Sequence, residues 1–142
     1  MIRRSVSVRG PVAEVFDRFT AGIGQWWPLE HFSYGGERAG DLILEGYAGG
    51  RFFERFRDGE EHEIGRVLVY EPPHRVVFTW TQANWAGPTE VEVRFFREGD
   101  GTRVELEHRG WERIGEGADG AERAFDGGWA SILDRFAASV MG

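Results

Sequence analysis

Glu54 lies in the run Arg51-Phe52-Phe53-Glu54-Arg55-Phe56. In an extended chain, residues two apart share a face, so its carboxyl falls on the same side as Phe52 and Phe56. By the same alternation His108 keeps register with Val104 and Leu106. A carboxyl among aromatic rings is expected to hold its proton more tightly than in water, and an imidazole within reach would complete a proton-transfer pair. Those are the ingredients of general acid–base catalysis. The commoner fate of such a glutamate is an ion pair with an inward arginine or a bond to a backbone amide, which implies no reaction. No residue is therefore assigned a catalytic role from the sequence.

Six tryptophans, at positions 26, 27, 80, 85, 111 and 129, form a second set. Most large aromatic side chains are core, because each removes much apolar surface from water. Trp85 is less expected there, since it lies in the polar, breaker-rich stretch from Gln82 to Pro88. A large apolar cavity with few polar groups suits lipid-like or aromatic ligands.

Other chemistries are excluded or poorly supported. Every basic residue is arginine and there is no cysteine, which rules out Schiff bases, thiolate nucleophiles, disulfides and thiolate metal sites. Gly115-Glu116-Gly117-Ala118-Asp119-Gly120 matches G-x-G-x-x-G, but no strand follows the next helix, and Glu116 and Asp119 would repel phosphate. It reads as a connecting loop. Glu60-Glu61-His62-Glu63 mixes carboxylates with an imidazole, yet neighbouring strand residues point oppositely, so the segment reads as a solvated hairpin. His31 and His74 lie in loop or turn context without ligand spacing, and there is no G-x-S-x-G elbow. No metal and no cofactor are expected.

These side chains need a scaffold. The 142 residues fit one domain, 1–142, and with 41% hydrophobic and 29% charged residues the balance is that of a globular protein. No apolar run approaches the ~18 residues of a membrane span. The formal charge of -7 argues against nucleic acid as a partner, because phosphate binding needs a basic face. Met1-Ile2-Arg3-Arg4-Ser5-Val6 carries charge without a following apolar stretch, so no secretory signal or transit peptide is expected and the cytoplasm is the expected location.

Ile2, Arg4, Val6 and Val8 alternate with Arg3, Ser5 and Ser7, predicting a first strand that stops at Gly10-Pro11. Val12, Val15, Phe16 and Phe19 fall on one stripe, predicting a short amphipathic helix over about residues 11 to 20 with Pro11 at its first position. Gly22-Ile23-Gly24 ends it, and Gln25-Trp26-Trp27-Pro28-Leu29 carries two indoles into a Gly-rich loop, at least one of them expected to face inward. Six strands are predicted next, at about 41–47, 50–57, 62–71, 74–82, 88–97 and 102–111, separated by Gly, Pro and Asp clusters of hairpin length. Consecutive hairpins imply an antiparallel sheet with one core face and one wet face. After a Gly-rich loop from Gly115 to Gly120, Phe125, Trp129, Ile132, Leu133, Phe136 and Val140 stack along one side of a long helix. That face must be buried on the sheet, and a helix lying across a concave sheet often leaves a pocket.

The motifs that accompany this order are Val12 to Phe19, Trp26-Trp27-Pro28, Gly49-Gly50-Arg51-Phe52, Gly65-Arg66-Val67 leading to Pro72-Pro73, and Phe78-Thr79-Trp80. Gly101-Thr102-Arg103-Val104, His108-Arg109-Gly110-Trp111 and Gly128-Trp129 complete the set, which covers nearly the whole chain. Together they resemble the START-like (SRPBCC) superfamily, and most closely the family named for activator of heat shock protein 90 ATPase homologue. The resemblance implies an α+β helix-grip fold: a curved antiparallel seven-stranded sheet with two short helices and one long C-terminal helix. In families that the chain resembles, the segment holding Trp26-Trp27 closes over the pocket mouth. Because the first strand begins at Ile2, the additional N-terminal domain of the eukaryotic activators is not expected. The superfamily resembles a container reused for lipid binding, polyketide cyclisation, hydroxylation and co-chaperone work, so the likeness does not name an activity.

The expected function is binding, without catalysis, of a small hydrophobic or aromatic molecule between the long helix and the sheet. The candidate ligand-binding residues are Trp26, Trp27, Glu54, Phe56, Trp80, Phe95, His108, Phe125, Trp129 and Leu133, with Glu54 and His108 orienting a polar end. The alternatives are a co-chaperone-like activator of a heat-shock ATPase and a cavity enzyme of cyclase or hydratase type using Glu54 and His108. A homodimer is a further expectation, since exposed aromatic surface in a small sheet domain invites pairing.

Overall fold

A computed structural model describes residues 1–141. Its strands are β1 (Ile2–Arg9), β2 (Asp41–Leu44), β3 (Arg51–Arg55), β4 (Glu61–Glu71), β5 (Arg75–Trp80), β6 (Thr89–Glu98) and β7 (Gly101–Arg109). They form one seven-stranded sheet in the order β1-β7-β6-β5-β4-β3-β2. Hairpins account for the run from β2 to β7, where sequence neighbours pair antiparallel, and β1 closes the far edge by pairing with β7 from Ile2↔His108 to Arg9↔Gly101. The helices are α1 (Val12–Phe19), the single turn α2 (Ile23–Trp26) and the long α3 (Ala118–Met141). This is the α+β helix grip, a curled half-barrel with α3 laid against its hollow side. No helix among the described residues is long and apolar enough to cross a membrane.

The apolar stripe of α1 buries Val15, Phe16 and Phe19, and Pro11 caps the helix from outside rather than opening it. The alternation on the strands places Phe52, Val76, Phe78, Val91, Val93, Phe95, Val104 and Leu106 in the core. Strand ends differ from their predicted positions because local hydrogen bonds compete with the ladder. β2 stops at Leu44, and the Glu45 carboxylate takes the Arg51 N–H at 2.6 Å instead. β3 stops at Arg55, since the Phe56 N–H turns to the Glu60 carbonyl at 2.8 Å. β7 stops at Arg109 because Gly110, at φ 91°, swings the chain into a 3-10 turn, Trp111–Ile114. The Trp111 indole then donates to the His108 carbonyl at 3.0 Å.

Two expectations are corrected. The second half of the Gly115–Gly120 stretch is the first turn of α3, not loop. Ala118, Ala121 and Phe125 pack against the core there, and that burial outweighs the poor helix propensity of the glycines. The outer face of the sheet is also not uniformly wet. Phe53 is buried beneath Arg51 and Arg55, whose guanidinium carbons lie 3.9 and 5.6 Å from its ring centre. Glu92, only 4% exposed, accepts from Arg109 at 2.7 Å, Arg94 at 2.7 Å and Arg75 at 2.9 Å. Burial alone would raise its pKa, but the hydrogen bonds from the three guanidiniums outweigh burial and bring it down to about 2.

Candidate functional site

Four rings from three parts of the chain converge where α3 crosses the sheet. Trp27 follows α2, Trp80 ends β5, and Phe125 and Trp129 lie one helical turn apart on α3. Ring centres are 6.3 Å apart for Trp27 and Trp80, 5.8 Å for Trp27 and Trp129, 5.9 Å for Trp80 and Trp129, and 5.4 Å for Trp80 and Phe125. Most of these contacts are edge to face, an arrangement favoured by the ring quadrupoles that does not bring flat faces together. A cavity of about 280 Å³ is left beside them. That is near the lower end of ligand pockets, which run from roughly 300 to 1,000 Å³. Leu42, Ile64 and Ile132 complete its apolar wall, and the exposed His31 and Ala124 stand at its rim.

One end of the cavity is polar. Glu54, 1% exposed, accepts hydrogen bonds from the Ser33 hydroxyl at 2.6 Å and the Tyr34 backbone N–H at 2.7 Å. The Ser33 oxygen in turn takes the Gly35 N–H at 2.9 Å. The Tyr34 hydroxyl accepts from the Trp80 indole N–H at 2.9 Å and the Gln82 amide at 2.7 Å. Burial raises the Tyr34 pKa, the hydrogen bonds from Trp80 and Gln82 counter it in part, and the charge of Glu54 adds to the rise. The loop that carries these groups is fixed to the wall at both ends. The Trp27 indole donates to the Phe32 carbonyl at 2.9 Å. Gly35 lies so close to Phe56 that an added Cβ would come within 2.6 Å of that ring.

His62 stands directly opposite Glu54 in the β3–β4 register and therefore on the same face. Its ring is 4.5 Å from that of Tyr34 and 6.5 Å from that of Phe56, and its Nε2 is buried without a protein partner. The hairpin reading of Glu60 to Glu63 is thus corrected at its centre: Glu61 and Glu63 are exposed, but His62 faces inward. Among the described residues, no group of three or more His, Cys, Asp or Glu is placed to hold a metal ion.

His108 does not meet Glu54. It is 0% exposed, its Nδ1 accepts from the Trp129 indole at 2.9 Å, and its Nε2 lies 2.7 Å from the Thr89 hydroxyl. Thr89 donates onward to the Trp80 carbonyl at 3.0 Å, so Nε2 carries the ring proton and gives it to Thr89. Burial, with a smaller contribution from the N-terminal ammonium, lowers the His108 pKa to about 3. The imidazole is a neutral strut behind Trp80 and Trp129, and the Glu54–His108 proton-transfer pair of the alternative enzyme reading does not form, since both ring nitrogens are already bonded.

Of the sequence candidates, Trp27, Glu54, Trp80, Phe125 and Trp129 border the cavity. Trp26, Phe56, Phe95, His108 and Leu133 are buried elsewhere. Trp26 packs on Phe19 and Phe136 at 5.1 and 4.8 Å and donates to the Arg18 carbonyl, while Phe95 meets Phe16 and Phe19 at 5.1 and 5.7 Å. Phe56 stands behind His62, and Leu133 belongs to the helix-facing core. Trp85 packs against Trp111 and Phe125, at 5.9 and 5.6 Å, outside the lining. Ser33, Tyr34 and Gln82 were not anticipated. The only pointer to them is that the long stretch between Trp27 and β2 must be tied down somewhere, and a buried carboxylate offers the tie.

The sequence profile of the Activator of Hsp90 ATPase homolog 1-like protein family matches residues 9–140. The chain belongs to this family. Solved structures with the same fold include Txn09, described as an anthrahydroquino-γ-pyrone synthase, with 39% identity over 96% of this chain and 94% of that one, at a TM-score of 0.65. They also include CalC, a self-sacrificing resistance protein from Micromonospora echinospora, with 28% identity over 98% and 92% of the two chains and a TM-score of 0.74. The Aha1 dimer from Colwellia psychrerythraea, 16% identical over 98% and 94% with a TM-score of 0.66, shares the fold of this Activator of Hsp90 ATPase homolog 1-like chain. A search of the curated proteins finds no match.

Proposed function

We propose that this protein binds a small planar aromatic compound between α3 and the sheet, its rings against Trp27, Trp80 and Trp129 and an oxygen-bearing edge toward Glu54, Tyr34 and Gln82. The observation that carries this reading is a cavity walled by indoles yet closed at one end by hydrogen-bonding groups. Flat rings stack well on indole faces, and a few placed polar groups fix orientation. The 39% identity to a synthase named for an anthrahydroquino-γ-pyrone supports a fused-ring guest. Titrating 9,10-anthraquinone into the purified protein is expected to quench tryptophan emission saturably with one molecule bound per chain. Emission that does not change up to the solubility limit overturns the reading.

A second reading, ring closure on such a guest, is favoured by the buried Glu54 carboxyl at the cavity wall, a candidate proton acceptor. Mass spectrometry of reactions with an anthrahydroquinone that bears an unclosed side chain tests it. Glu54→Gln is expected to lower conversion by about 100-fold or more at saturating guest. Activation of a chaperone ATPase would act through a protein surface, whereas the observations above converge on a cavity. Self-association is a separate proposal, supported by the exposed Leu68 and Phe96 on the outer face, and sedimentation at increasing concentration measures it directly.

A further inference from the structure

A tyrosine hydroxyl has one proton to donate and two lone pairs with which to accept. At Tyr34 both accepting positions are occupied, by the Trp80 indole N–H at 2.9 Å and the Gln82 amide N–H at 2.7 Å. An indole N–H cannot accept in return, so the hydroxyl proton has no partner among these neighbours. Tyr34, Trp80 and Gln82 all line the cavity. The phenol is also held in place from other directions. Its backbone N–H is fixed by Glu54 at 2.7 Å, and its ring lies 4.5 Å from that of His62. An O–H group that accepts two hydrogen bonds is a better donor than a free one, because each accepted bond polarises it further.

We propose that Tyr34 is a ligand-orienting residue whose hydroxyl donates to a carbonyl oxygen of the bound aromatic compound, which assigns the guest to the aryl ketones and quinones rather than to aromatic hydrocarbons or amines. The proposal rests on the cavity reading given above. Burial at this site raises the pKa of the phenol, so the proton is present at neutral pH. Tyr34 is 39% exposed, so in the free protein its hydroxyl can donate to solvent. A hydrocarbon of the same shape would displace that solvent and offer no acceptor in return, which is the physical basis for discrimination against it.

Two matched probes test this: 9,10-anthraquinone labelled with ¹³C at its carbonyls, and anthracene, which has the same three rings without oxygen. Infrared difference spectra of the wild-type complex are expected to show one carbonyl stretch shifted to lower frequency, and Tyr34→Phe is expected to restore it. The same substitution is expected to weaken anthraquinone binding about fivefold, the equivalent of one neutral hydrogen bond, and to strengthen anthracene binding, because the donor that the hydrocarbon leaves unsatisfied is gone. A wild-type complex with unshifted carbonyls overturns the assignment even if the variant does not fold. So does an equal loss of affinity for both probes, which would mean lost packing instead of a lost donor. If the wild-type protein binds neither tricycle, the cavity reading fails and the donor assignment with it, a result distinct from binding without a shift.

Discussion

Three polar rings adjoin the aromatic cluster, His108 buried, His62 half-buried and Tyr34 at the exposed end, and each is satisfied differently. His108 has both nitrogens bonded, Tyr34 keeps one donor free, and His62 keeps Nε2 without a partner. His108→Leu would strand the Trp129 N–H and leave the Thr89 hydroxyl without the imidazole, so the expected loss is about 1–3 kcal/mol in urea unfolding. The pH dependence has a definite sign. His108 titrates near 3 when folded, against 6.5 as its ordinary value, so the unfolded chain takes up the proton first as pH falls. Its contribution is complete above about pH 6.5 and is lost progressively down to about pH 3, by at most about 1.4 kcal/mol per pH unit. Unfolding midpoints followed across that window are expected to fall less steeply in His108→Leu. The inward facing of Glu54 and His108 was legible from alternation, which reports the face of a strand. Their separation was not, because a face says nothing about position along it. Tyr34 was illegible, since no periodicity governs the loop that holds it.

At the scale of elements, α3 bears the consequences. It presents Gly128 to the cavity, where a Cβ would lie 3.4 Å from Phe32, an ordinary contact. Gly128→Ala should therefore be tolerated, with a gain of about 0.5–1 kcal/mol from lower chain entropy before folding. Gly128→Leu should project into the open space and abolish anthraquinone quenching while leaving the circular dichroism spectrum unchanged. Gly65 on β4 gives the opposite result, because its Cβ would fall 1.7 Å from the Thr79 carbonyl oxygen. Gly65→Ala is expected to lower stability by at least about 2 kcal/mol in thermal melts. Helix and strand identities followed from apolar spacing in Val12 to Phe19 and Val91 to Phe95. Their ends did not, because Glu45, Gly110 and the Phe56 amide each form a local bond that hydropathy does not record.

Over the whole molecule the run from β2 to β7 was legible, since hairpin-length breakers between six strands imply consecutive antiparallel pairs, whereas the place of β1 beside β7 was not, because no hairpin joins them. The size of the remaining space was not, because it is a small difference between the area that the sheet encloses and the volume of the rings that enter it. Glu92 ties β6 to arginines on β5 and β7, and its pKa near 2 adds stability present above about pH 4.5 and lost as pH falls toward 2. Glu92→Gln, by calorimetry at pH 7, is expected to lose about 1–3 kcal/mol, discounted for the half-exposed arginines. The outermost strands have a different consequence. β2 offers a foreign chain only four residues to pair with, and β1 surrounds its free border with Arg3, Arg4 and Arg9. Brevity at one margin and, at the other, charged side chains held by ion pairs, Arg4 with Asp126 of α3 and Arg3 with Glu107, penalise templated addition of further strands.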